Sequence, residues 1–72
     1  VSFQAYLDNV EAKTGKSAAD LKVLATEKGL ADAGGIAPGV KAGAIVDWLK
    51  TDFQLGHGHA MSIVAYIKGK RD

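Results

Sequence analysis

Four stretches of this chain carry bulky apolar side chains three or four residues apart, the spacing of an α-helix packed on one side. The first runs through Phe3, Tyr6, Leu7 and Val10, while Gln4, Asp8 and Glu11 fall elsewhere on the wheel. Ser2 is placed to cap its start, and Gly15 to take the left-handed conformation past its end. Ser17, followed three residues later by Asp20, has the spacing of a capping box with Asp in place of the usual Glu. It opens a helix whose apolar side is Ala18, Leu21, Leu24 and Ala25 and which Gly29 ends. Val40, Ala44, Ile45, Trp48, Leu49 and Phe53 form the widest stripe, so the third helix is expected at the centre, with Asp47 and Lys50 on its wet side. After a Gly56-His57-Gly58 turn a last helix is expected from about His59, with Ala60, Met61, Ile63, Val64 and Ile67 facing inward and Gly69 closing it. Gly34, Gly35, Pro38 and Gly39 crowd the stretch between the second and third helices, which predicts a mobile loop tethered by Leu30 and Ile36. The expectation is an all-α fold, one compact four-helix domain over residues 1–72. Its helices cover about 3–13, 18–28, 40–53 and 59–68, arranged as two αα-hairpins joined by the Gly/Pro-rich loop.

At 72 residues there is side-chain volume for one core and no second one. Cysteine is absent, which removes disulfides, thiolate zinc sites and thiol nucleophiles and fits a reducing cytoplasm. No apolar run is long enough to cross a membrane, and the opening Val1-Ser2-Phe3-Gln4 lacks the basic and hydrophobic regions of a leader, so a cytoplasmic location without a membrane partner is expected. Nine Lys and Arg against eight Asp and Glu leave a net charge of +1, too little for a broad electrostatic footprint. The one basic concentration is Lys68, Lys70 and Arg71, which also suits the negative end of a helix dipole.

Leu55-Gly56-His57-Gly58-His59 is the most suggestive stretch, with two imidazoles and two glycines at the start of a helix. As a metal site, His57 and His59 supply two ligands, and no Cys, Asp or Glu in the segment completes a tetrahedral set. As an anion site, the free N–H groups of the helix start would face a phosphate, with His57, Gly58 and His59 around it and Lys68, Lys70 and Arg71 as the accompanying cations. As plain architecture, the glycines supply turn angles and the imidazoles pack or are solvated. A helix-turn-helix reading of the third and fourth helices has little to support it, because His59, Ser62 and Tyr66 are the only polar side chains the outer face offers before Lys68. Ser2, Ser17 and Ser62 are caps or surface residues, neither histidine is placed to activate one, and no acid pair stands out. No enzyme activity, catalytic residue, metal ligand or cofactor is therefore assigned.

Ser2-Phe3-Gln4-Ala5-Tyr6-Leu7-Asp8-Asn9, continued by Glu11-Ala12-Lys13-Thr14-Gly15-Lys16, resembles the family of bacterial domains called DUF4287. So do Gly39-Val40-Lys41-Ala42-Gly43, Ile45-Val46, Trp48-Leu49-Lys50 and Leu55-Gly56-His57-Gly58-His59-Ala60-Met61, with a longer connection around 33–37 in this chain. The resemblance implies a small bacterial helical domain, sometimes fused to other modules, and carries no activity with it. The leading expectation is a non-catalytic interaction module, acting by self-association or on a protein partner, with Val23, Val46 and Tyr66 lying off the main stripes. The alternatives are nucleic-acid or phosphate-ligand binding through residues 56–59 and the basic tail, and metal binding by His57 and His59.

Overall fold

A computed structural model describes residues 2–70 and contains four helices and one small sheet. Helix α1, Phe3–Thr14, starts where the Ser2 Oγ accepts a hydrogen bond from the Ala5 amide (3.1 Å). It stops at Gly15, whose φ of 75° lets its amide donate to the Glu11 carbonyl (2.8 Å). Helix α2, Ala18–Glu27, opens with the expected capping box. The Asp20 amide donates to Ser17 Oγ (3.1 Å), and the Ser17 amide to Asp20 Oδ2 (3.2 Å). It closes in a Schellman turn, Leu30 N–H to Ala25 O (2.9 Å) and Gly29 N–H to Thr26 O (3.1 Å), which folds Leu30 back against the core.

The glycine-rich stretch departs from the all-α expectation. Strands β1, Ala31–Asp32, and β2, Gly35–Ile36, pair antiparallel with Ala31 opposite Ile36 and Asp32 opposite Gly35. Asp32 Oδ1 accepts from the Gly34 amide (2.8 Å) and so shapes the turn between them. Ala31 and Gly35 are buried, because β1 packs on α2 and β2 on α4. The next turn is built by the chain's one proline. Ala37-Pro38-Gly39-Val40 closes through Val40 N–H to Ala37 O (3.0 Å) with Gly39 at φ 83°, the conformation Pro-Gly favours in a type II turn. Val40 is spent on that turn, so helix α3 spans Ala42–Phe53 rather than starting at 40.

Helix α4, His57–Lys68, begins two residues earlier than the apolar pattern suggests, with Gly56 as N-cap. Both histidines are thus helical, and the turn before them is made by Gln54 (φ 57°) and the buried Leu55. Helix α4, rather than α3, is the central element. It packs against α1, α2, α3 and β2, and it supplies Ile63, Val64 and Ile67 to a fully buried set completed by Val10, Leu21, Ile45 and Leu49. The wide stripe of α3 misleads because its aromatic members sit at the rim. Trp48 and Phe53 are half-buried, edge to face at 5.5 Å, and the Trp48 indole Nε1 is buried with no hydrogen-bond partner among the described residues. Val46, expected off the core, is buried in it, while Met61, expected inside, is 41% exposed. The reason is angular: successive helical residues are about 100° apart, so burial of Ala60, Ile63, Val64 and Ile67 turns Met61 outward.

Candidate interaction surface

The side chains singled out from the sequence lie along α4 and do not converge on one point. His57 and Gly58 are exposed at the start of α4, and His59 is half-buried with its ring edge-on to Tyr6 of α1 (5.4 Å, 74°). Lys68 is exposed in the last turn, and Lys70, past Gly69, sets its ammonium 5.4 Å from the centre of the Phe3 ring. Arg71 lies outside the described residues. At 1.5 Å per residue, His57 and Lys68 are about 16 Å apart along the helix, more than a single phosphate spans. Among the described residues, no group of three or more His, Cys, Asp or Glu side chains is close enough to hold a metal ion.

Of these residues, Gly58 and Lys70 line a groove between α1 and α4, with His57, His59 and Lys68 outside its lining. It has a volume of about 370 Å³ and is lined by Phe3, Tyr6, Gly58, Met61, Ser62, Ala65 and Lys70. Gly58, Met61, Ser62 and Ala65 follow one another at i, i+3, i+4 and i+7, so a single face of α4 forms the floor. Ser62, which the sequence places on the outer face, is 9% exposed, and its hydroxyl donates to the Gly58 carbonyl (3.0 Å). Its polar group is satisfied inside the helix, and its methylene is what it can offer the groove. Phe3 and Tyr6 form the opposite wall. Phe3 carries the Lys70 ammonium over its ring, and Tyr6 meets His59 edge-on. Among the described residues the groove's lining contains one cation, Lys70, and no carboxylate.

A second groove, of about 330 Å³, runs between α1 and α2 and has the opposite character. It is lined by Gln4, Leu7, Asp8, Glu11, Ser17, Ala18, Ala19 and Tyr66. Gln4 Nε2 donates to Asp8 Oδ1 (3.0 Å) beside it. Helix α1 thus separates an acidic groove from an apolar one with cationic neighbours.

The apolar groove was only partly legible from sequence. The glycine-histidine run marked its upper end, but the wall from α1 and the outward turn of Met61 needed the helix to begin at His57. That start has a sequence signal in hindsight: Gly56 can cap as well as turn, and with it the wheel re-centres on Ile63.

No curated protein and no solved structure matches the chain. A family model does, over residues 2–69, which takes in every element described above. The chain belongs to the family described as a domain of unknown function, DUF4287.

Proposed function

We propose that this chain is a non-catalytic interaction module whose contact surface is the α1–α4 groove and the exposed face of α4 beside it. The observation that carries the reading is Met61, a large flexible apolar side chain standing 41% exposed beside aromatic walls. Methionine at such a position adapts to a binding partner at little cost. The serine hydroxyls support the non-catalytic part. Ser2 and Ser17 accept from helix-start amides and Ser62 donates to a carbonyl, so each is committed to the backbone. The accessible surface, 4101 Å², is close to the about 4,250 Å² expected of a folded monomer of 7.5 kDa, so the contact is an optional one rather than a condition of folding.

Binding of nucleic acid or a phosphate ligand by residues 56–59 with the basic tail has less support, since Lys68 stands at the far end of α4 from His57. The test is a photo-crosslinking residue in place of Met61, compared with the same residue in place of the exposed Thr51 on α3. Position 61 is expected to give a discrete product with purified protein or in a bacterial lysate, and position 51 none. Equal labelling at both positions, or no product at 61, overturns the reading.

A further inference from the structure

Two large apolar side chains stand exposed among the described residues, Val23 at 57% and Met61 at 41%, the first flanked by carboxylates and the second by an imidazole and an ammonium. On α2, Asp20 lies three residues before Val23 and Glu27 four after. At 100° per residue the three fall within about 60° of one another, and all are exposed. Lys22 is half-buried and about 100° away from Val23 around the helix. On α4, His57 lies four residues before Met61 and Lys68 seven after, within about 40° of one another, and all three are exposed. Lys70, over Phe3, adds a second ammonium to the same end of the groove. One strip is acid, apolar, acid. The other is imidazole, apolar, ammonium.

From this complementarity we infer that the α1–α4 groove receives the outer face of α2 from a second copy of this chain. Val23 seats against Met61, and Asp20 and Glu27 lie toward the His57 and Lys68 ends. The inference rests on the groove being the contact surface, as proposed above, and adds the identity of the occupant. The two strips belong to different helices of one molecule, so a single contact leaves one strip of each kind available, and the contact either repeats head-to-tail or closes reciprocally about a two-fold axis. Strips about 10–16 Å long bury less than the roughly 1,000 Å² of a stable interface. The expected dissociation constant is on the order of 0.1–1 mM, and salt weakens it.

Sedimentation equilibrium and amide NMR on the whole chain, from about 20 μM to 2 mM, read this directly. The expected result is a weight-average mass rising smoothly above 7.5 kDa, with concentration-dependent shifts at Val23, Glu27, His57, Met61 and Lys68. Glu27→Lys and Lys68→Glu should each weaken association by about three- to tenfold. The two variants mixed, or the double variant alone, should recover wild-type association to within about twofold, since the pair is restored with its signs exchanged. Unchanged far-UV circular dichroism and thermal midpoints show that the variants fold. A mass fixed at the monomer value at 2 mM overturns the inference, as does a double variant no better than the single ones or shifts clustered away from these five residues. If position 61 crosslinks a different protein while the chain stays monomeric, this inference fails and the groove's role stands. If position 61 crosslinks nothing, both fail.

Discussion

At Gly35 the backbone of the small sheet lies close against the last turn of α4. A Cβ built there would sit 3.6 Å from the Ile67 carbonyl oxygen, and its φ of 130° is one that side-chain-bearing residues rarely adopt. Gly35→Ala should cost about 1–3 kcal/mol, read as a lower urea midpoint at constant m-value. Gly58 is the contrasting case, helical and with nothing within 4 Å of its absent Cβ. Gly58→Ala should stabilise by about 0.5–1 kcal/mol while narrowing the groove, so a binding defect in this variant would not be a folding defect. At Trp48 the buried, unpartnered indole N–H carries a desolvation cost of about 1–3 kcal/mol, offset by the ring's packing on Phe53. Trp48→Phe removes both the orphan donor and some buried area, and its thermal midpoint should stay near wild type. Trp48→Ala should lose about 3–5 kcal/mol.

Among the elements, α2 depends most visibly on its first turn, because its apolar side is small and two of its buried residues are alanines. Ser17→Ala removes one half of the capping box and should cost about 1 kcal/mol, with the largest gain in amide exchange rate at Asp20. That capping pair, the apolar periods of α1 and α2, and the glycine that ends α1 were all legible in the sequence, because each is local chemistry within a few residues. The two-stranded ladder was not. A strand of two residues has no period to detect, and Ala31 and Gly35 are buried only because α2 and α4 come to lie against them. The late start of α3 belongs to the same class, since the turn through Pro38 and Gly39 competes with the helix for Val40. The groove combined both kinds of information. Its Gly58 was visible within the glycine-histidine motif, but its partner wall of Phe3 and Tyr6 is set by how α1 crosses α4.

For the molecule as a whole, one core contains every fully buried side chain among the described residues, and α4 runs through it. Ile63→Ala should remove about 2–5 kcal/mol. A domain of this size has a total of only about 4–11 kcal/mol, so this variant is expected to lose about half of its stability, read as a markedly lower thermal midpoint by circular dichroism. Met61→Ala, beside it in sequence but facing outward, should move the midpoint by no more than about 0.5 kcal/mol. The position of α4 in the chain also has a kinetic side. A ribosome releases α1, α2, the hairpin and α3 before the segment they all pack on, so those three helices emerge without the surface that would cover their apolar sides. Short helices of 10–12 residues are marginal alone, which makes the nascent chain an unstructured, sticky client for chaperones until Ile63, Val64 and Ile67 clear the exit tunnel.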